Sequence, residues 1–360
     1  MRTYLDHNAT SPLRPEAKQA MLDAMEISGN ASSVHSEGRK AHKLMDDARE
    51  VLAFNLGCLP QMVTFTGGGT EANNMAVRGV DVERILISAI EHPSVSAAAK
   101  ASGKIVEIIP VDRLGRVNLS ALEHMLIGPK ALVSVMVANN ETGVVQPIAD
   151  VVSLAAKAGA LTHVDAVQAF GKRPVNFGLM GVDMMTVGAH KVGGPTGIGA
   201  LIIRDGLVVE PLLVGGGQEL RRRAGTENLI AIAGFAATAK AARLDTFELK
   251  DKLEAALEDS LIFSDGVERL CNTTCLAISG MKAETLLMNF DLEGIAVSSG
   301  SACSSGKVAR SHVLEAMGVA PEISSSAIRV SLGWNTTAED IQHFIAVWRK
   351  LNQRSKAKAA

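Results

Sequence analysis

No apolar run in this 360-residue chain reaches the length needed to cross a bilayer, so a helical membrane span is excluded. The segment Met1 to His7 has neither the apolar core of a signal peptide nor the Arg/Ser-rich character of a transit segment. Cysteine is scarce. Four residues (58, 271, 275 and 303) do not make a disulfide framework at this length, and a reducing, cytoplasmic setting is expected. Cys271 and Cys275 lack a second pair or a nearby histidine, so they read as part of an apolar strand and no metal site is expected. Excess charge is lacking too. A formal net charge of −2 provides no global field to recruit nucleic acid or an acidic membrane surface. Arg221, Arg222 and Arg223 form the one dense basic cluster, read either as a solvated loop or as a face for an anionic ligand or partner.

Nucleotide-binding signatures are also missing. The glycine turn at residues 66–74 is not followed by Gly-Lys-Ser/Thr, and Gly300 to Lys307 has the wrong spacing, with Val308 where a hydroxyl is needed. No Gly-x-Gly-x-x-Gly turn follows an early strand, so a phosphate bound by this chain belongs to something smaller than a nucleotide. There is no internal repeat and no low-complexity tract.

What is present is an ordinary globular composition, 47% hydrophobic and 21% charged, in a chain long enough for two structural units. From residue 84, short β-rich runs alternate with helix-like stretches. The runs are Arg84–Ala89, Ile105–Val111, Ala131–Ala138, Leu161–Val164, Asp183–Val187 and Gly199–Ile203. Most are almost continuously apolar, as strands covered on both faces are. With the helical pattern of Ile148–Gly159 between them, they predict an α/β domain built on a mainly parallel sheet. Residues 15–28 and 38–56 read as amphipathic helices, the first opening at Pro15. After residue 245 come charged helical segments, Phe247–Leu261 and Ala338–Leu351, and strands Thr274–Ser279 and Ala327–Leu332. This places a large domain at 15–244 and a smaller α+β domain at 245–360 joined by residues 1–14, with fraying expected from Gln353.

Two segments carry chemistry. Residues 298–306 set Cys303 among glycine, alanine and serine, which neither bury a thiol nor stiffen a backbone, and this suits a nucleophile on a loop. Lys191 follows a strand end and precedes Gly193-Gly194-Pro195. A lysine turned into a cleft there loses solvation and favours the neutral amine needed for a Schiff base. The turn Thr66-Gly67-Gly68-Gly69-Thr70 opens a helix whose N–H groups suit a phosphate. Asp165 ends another strand, either as a helix cap or as the partner of a pyridinium nitrogen, and His92 lies at the same sheet edge.

Taken in order, the glycine-threonine turn, His92, Asn140, Asp165, Gln168 and His190-Lys191 follow the pattern of a fold-type I pyridoxal-phosphate enzyme. With Cys303 added, the chain resembles the class V aminotransferase family, and within it the cysteine desulfurases of the NifS/IscS type. The resemblance runs nearly end to end, through Leu5-Asp6-His7-Asn8-Ala9-Thr10, Asn139 to Gly143, Gly215 to Glu219, Arg223 to Asn228 and Arg329 to Gly333.

The resemblance implies a large domain with a mainly parallel central sheet and a smaller α+β C-terminal domain. It implies Lys191 as the lysine that takes the cofactor's aldehyde, and Gly69, Thr70 and His190 as phosphate contacts. Thr226 would reach the phosphate from the partner subunit of a homodimer. Asp165 would pair with the ring nitrogen, Gln168 would donate to the ring hydroxyl and His92 would stack on the ring. Asn140 and Arg329 would hold the substrate carboxylate, a task suited to the planar guanidinium fork. Cys303 would accept sulfur. The implied reaction turns L-cysteine into L-alanine and leaves a persulfide that passes to an acceptor or scaffold protein, for iron-sulfur cluster assembly or another thio-cofactor. Cys303 would thereby meet the acceptor or a nascent cluster transiently. A free thiol with a pKa of about 8.5 needs a base or positive field, and His92 is the expected one.

Two positions depart from the pattern: Gly188 stands where relatives commonly carry a phosphate-binding serine, and Thr196 where a lysine is frequent. A selenocysteine lyase on the same scaffold and a non-catalytic partner protein of this fold remain open alternatives.

Overall fold

The computed structural model describes residues 2–257, 260–278, 280–299 and 310–359, with side chains described up to residue 354. The chain opens with strand β1 (Thr3–Tyr4), then helices α1 (Pro15–Met25) and α2 (Ser36–Leu56). Proline at the first position of α1 has its φ already set for a helix and no N–H to leave unpaired. Helix α2 stops at Gly57, whose left-handed φ of 63° lets its N–H return to the carbonyls of Ala53 and Phe54.

Strands β2 (Val63–Thr66), β3 (Arg84–Ser88), β4 (Ile105–Ile109), β5 (Ala131–Ser134), β6 (Leu161–Asp165), β7 (Met184–Gly188) and β8 (Gly199–Ile203) form one sheet. Their order is β2-β8-β7-β6-β5-β3-β4. From β7 to β4 all pairings are parallel, whereas β8 runs antiparallel to both β7 and β2. The six runs expected from hydropathy all lie in this sheet, three of them shorter than expected, one longer by a residue, one shifted by a residue and one unchanged. Strand β2 was not expected, because its alternating Val-Thr-Phe-Thr is only four residues long and merges into the glycine turn. One expectation is corrected: β4 is a sheet edge, with Ile105 and Ile108 more than half exposed, and is not covered on both faces.

Beyond β8 the chain makes β9 (Leu261–Ile262), β10 (Thr273–Ala277), β11 (Ile295–Ala296) and β12 (Ala327–Ser331). Three of them form an antiparallel sheet in the order β12-β10-β9, and β11 pairs in parallel with β1. Cys275 lies in β10 and Cys271 just ahead of it. The helix expected over 247–261 ends at Ala255, and Leu261 pairs with Ala277 instead. The last helix runs over Ala338–Ala359, past the point where fraying was expected. Lysine, arginine, glutamine and alanine are all good helix formers, and no glycine or proline interrupts them.

Helices pack on both faces of the seven-stranded sheet, and a separate apolar core forms at the C-terminal side. In that second core Leu5 joins Leu253, Phe290, Phe344 and Trp348, and the rings of Phe290 and Phe344 stack 4.9 Å apart. Among the described residues no helix is long and apolar enough to cross a membrane.

Candidate active site

The parallel strands end together at one sheet edge, where open α/β sheets bind ligands. His92 follows β3, Asn140 follows β5, Asp165 ends β6 and Lys191 follows β7. These four line a single cavity of about 770 Å³. Gly69, Thr70, Gln168, His190 and Arg329 line it too. Thr226 does not. It is exposed in a separate shallow groove beside Gly215 and Gly216, so within one chain it takes no part in the cavity.

One wall is held by hydrogen bonds among its own residues. Asp165 is buried, its Oδ2 accepting from Asn73 Nδ2 at 2.8 Å and its Oδ1 from the Val167 N–H at 2.9 Å. Asn73 Nδ2 also donates to Ser94 Oγ at 2.9 Å, which leaves the Ser94 hydroxyl proton for His92 Nδ1, 2.7 Å away. The Ser94 backbone N–H reaches the same nitrogen at 3.1 Å and makes His92 the cap of α4 (Pro93–Lys100). A nitrogen accepting two donors has no proton, so neutral His92 carries its proton on Nε2. Burial is the main reason its pKa is lowered, with Lys191 and His312 adding to it against Asp165. His92 is therefore built as a donor at Nε2. Serving as the expected base toward Cys303 through that nitrogen requires the opposite tautomer.

The glycine turn sits at the start of α3 (Gly69–Arg78). Gly68 has φ 140°, and β8 approaches so closely that a Cβ on Gly199 would fall 2.8 Å from the Gly68 carbonyl carbon. Only bare backbone fits there. Glu71 braces the turn, with Oε2 accepting from the Gly67 N–H at 2.7 Å and Oε1 from Arg223 Nε at 2.9 Å. Arg222 donates to the Gln61 carbonyl, so two of the three clustered arginines serve the fold. At Gly188 a Cβ would have ordinary contacts, 3.6 Å to Val167 and 3.9 Å to the Gly69 nitrogen.

Lys191 lies in a single 3₁₀ turn after β7. Its pKa falls to about 8, first through burial and then through the charge of Arg329, against Asp165 and Asp6. His190 falls to about 4, mainly through burial, and its Nδ1 lies 3.3 Å from Thr10 Oγ1.

The opposite wall comes from the smaller sheet. Arg329 on β12 donates through Nη1 to the Asn140 carbonyl at 3.0 Å and through Nη2 to Asp6 Oδ1 at 2.8 Å. Among the described residues, neither its Nε nor the Asn140 Oδ1, both buried, has a hydrogen-bond partner. Two such groups on residues that line one cavity mark a place for a polar ligand. Burial raises the Asp6 pKa despite the arginine beside it.

Ser298, Ser299, Arg310 and His312 also line the cavity, so residues on both sides of the Cys303 segment border it; Cys303 itself lies outside the described residues. The other thiols are poor nucleophiles. Burial pushes Cys58 up to about 11 and raises Cys275, while Cys271 is buried against the carbonyls of Lys172 and Leu244.

Sequence reasoning missed Asp6, Asn73, Ser94, Lys172 and His312. Asp6 and Asn73 stand inside the quoted motifs, but no local pattern says which side chain a motif residue will meet. Two buried acids were missed as well. Glu91 accepts from Ser88 Oγ and the Met136 N–H, and burial raises its pKa to about 8. Glu141, also raised by burial, accepts from Ser311 Oγ.

Residues 3–344 match the family model described as Aminotransferase class-V. The chain is 41% identical to cysteine desulfurase 2 of Trichormus variabilis, covering 98% of this chain and 94% of that protein. It is 42% identical to a cysteine desulfurase of Cereibacter sphaeroides, over 96% and 94%. A NifS-like protein from Rickettsia africae superposes with a TM-score of 0.91 at 38% identity, over 98% of this chain and all of that one. SspA solved in complex with cysteine superposes with a TM-score of 0.83 at 29% identity, over 92% and 98%.

Proposed function

The chain belongs to the aminotransferase class-V family, which is pyridoxal-phosphate-dependent, and we propose that it is a cysteine desulfurase of the NifS/IscS type. The observation that carries the reading is convergence. A lysine with a depressed pKa, a buried aspartate and an arginine whose Nε has no partner among the described residues line one cavity, and both flanks of the Cys303 segment line it.

Pyridoxal phosphate fits this donor set. The bare backbone of Gly67–Gly69 at a helix start, with Thr70 and His190, would hold the phosphate. Asp165, fixed by Asn73 and Val167, would pair with a protonated ring nitrogen, Gln168 would donate to the ring hydroxyl, and His92 would lie against the ring. Lys191 would hold the aldehyde carbon. When bound, the cofactor supplies an electron-withdrawing ring that stabilises negative charge at the substrate α-carbon.

The chain's own groups do the rest. Arg329 and Asn140 orient the carboxylate of L-cysteine and so fix which bond at the α-carbon faces Lys191. Lys191, near its lowered pKa, takes the α-proton as a neutral amine. His92 holds a proton at Nε2 toward the cavity. Cys303 belongs to the segment whose two flanks line the cavity. Its thiolate forms an S–S bond as the substrate C–S bond breaks, so one cysteine and one enzyme thiol give alanine and one persulfide without an external oxidant.

We further infer a cytoplasmic homodimer in which the partner copy's Thr226 completes the phosphate contacts. Residues 15–244 and the pair 1–14 with 245–360 would act as two domains, and the persulfide would pass to an acceptor or scaffold protein for iron-sulfur or other thio-cofactor assembly. Incubation with L-cysteine followed by mass spectrometry tests the reading. It expects one added sulfur on Cys303 and release of alanine. Alanine formation that survives Cys303→Ala, or sulfur found on another cysteine, overturns it.

A further inference from the structure

Behind the cavity lies a second lysine that the reaction does not use. Lys172 is 5% exposed, and no carboxylate among the described residues answers its charge. Burying an ammonium in this way is costly, and an apolar side chain of similar volume would ordinarily be more stable there. Its Nζ donates to two amide oxygens, Asn8 Oδ1 at 2.7 Å and Gln168 Oε1 at 2.8 Å. Both of these residues line the cavity.

Donating to both oxygens, Lys172 draws each amide oxygen toward itself and turns each NH₂ the other way. The Gln168 Nε2 uses one hydrogen on the Asn8 carbonyl at 3.0 Å and keeps the other. The Asn8 Oδ1 is also taken by Asn272 Nδ2 at 3.1 Å. Its Nδ2 is thereby directed to Thr273 Oγ1 at 2.8 Å and to the Asn140 carbonyl at 3.2 Å, the same carbonyl that receives Arg329 Nη1. A flipped Asn8 would set oxygen against oxygen at Asn140 and loosen the seat of Arg329.

We propose that Lys172 is a positioning residue that orients the amides of Gln168 and Asn8, so that the first offers an N–H to the cofactor and the second holds Asn140 and Arg329 ready for the substrate carboxylate. Burial, with Lys191 and Arg329 nearby, depresses the pKa of Lys172 strongly. As amine or ammonium it still donates both hydrogen bonds, so the arrangement holds across the working pH range.

The inference rests on the pyridoxal-phosphate reading, and the test separates the two. Apo-protein is titrated with pyridoxal phosphate, its melting temperature is measured, and KM for cysteine is determined on the loaded enzyme. Lys172→Met is expected to weaken cofactor binding about tenfold and raise KM, the scale of a lost hydrogen bond at each place, without lowering the melting temperature. Lys172→Gln, which keeps a donor, is expected to recover part of both. In a Gln168→Ala background, Lys172→Met is expected to add little to the loss of cofactor affinity, because the group it orients is gone. If Lys172→Met gives no folded protein, the same cycle is run with Lys172→Gln and the same lack of additivity is expected. Wild-type binding of cofactor together with variants that bind cofactor and cysteine normally, or losses that add in full, overturns the role of Lys172 alone. Wild-type protein that takes up no pyridoxal phosphate ends the functional reading and this inference with it.

Discussion

The two walls of the cavity are held in different ways. On the large-sheet wall, Asp165 and His92 are fixed by hydrogen bonds to Asn73, Ser94 and backbone N–H groups within the protein. On the small-sheet wall, Arg329 is held partly by the Asp6 carboxylate, and among the described residues its Nε has no partner. The first arrangement is preorganised, so its dipoles need no rearrangement when charge develops. The second is exchangeable, because an incoming carboxylate can take the place of Asp6 on the guanidinium. A group that must stay bound through many turnovers suits the first wall, and one that enters and leaves each time suits the second.

The largest expected effect tests whether the fixed wall carries the chemistry. Lys191→Ala is expected to reduce alanine formation by more than about a thousandfold and to abolish the visible absorbance of bound cofactor. Retention of either would break the comparison. Arg329→Lys leaves a charge without the fork. It is expected to raise KM for cysteine by about ten- to a hundredfold while the cofactor spectrum stays unchanged, as steady-state kinetics and absorbance will show. A changed spectrum would mean that the walls are not separable.

Asp6→Asn keeps an acceptor beside Arg329 but removes the competing charge, so KM is expected to fall about two- to fivefold. A rise would show that Asp6 serves to position the arginine. Gly188→Ser fills the open space beside the Gly69 nitrogen and is expected to tighten pyridoxal phosphate binding by a few fold in an apo-protein titration. No gain would mean that the cradle is already complete.

The smallest effects are in stability. Glu91 has a folded pKa of about 8 against an ordinary 4.5, so the native state holds a proton that the unfolded chain loses across that interval. Its contribution to stability is present in full below pH 4.5 and is lost as pH rises through about 8. Lys191 has the opposite sign. With a folded pKa of about 8 against 10.5, apo-protein gains stability between those values as the unfolded chain alone stays protonated. Melting curves from pH 5 to 10 should show Glu91→Gln several degrees above wild type at the alkaline end and close to it at pH 5. Equal offsets at every pH would place the Glu91 pKa near its ordinary value.

Much of the large sheet was legible because parallel strands buried on both faces leave long apolar runs. Gly199–Ile203 matches residue for residue, and most of the others differ only at their ends. Strand β2 and the edge position of β4 were not legible, since four alternating residues and an apolar edge look like a turn and a core strand respectively. Among site residues, Lys191, Asp165 and His92 could be found because each lies at or just past the end of a strand, and strand ends in such sheets gather at one edge. The ion pair of Asp6 with Arg329 joins residues 323 apart, and no local pattern encodes it. The same holds for Lys172, whose place in the sequence says nothing about the amides it will meet.

The order of residue types along the chain determined the fold class, the family and the chemistry on offer, because periodicity and motif spacing are local properties of a covalent sequence. Which nitrogen of His92 carries the proton, which carboxylate occupies Arg329 and which amides Lys172 turns were decided only on folding. Those are properties of distance and burial, and both arise when segments remote in sequence pack against one another.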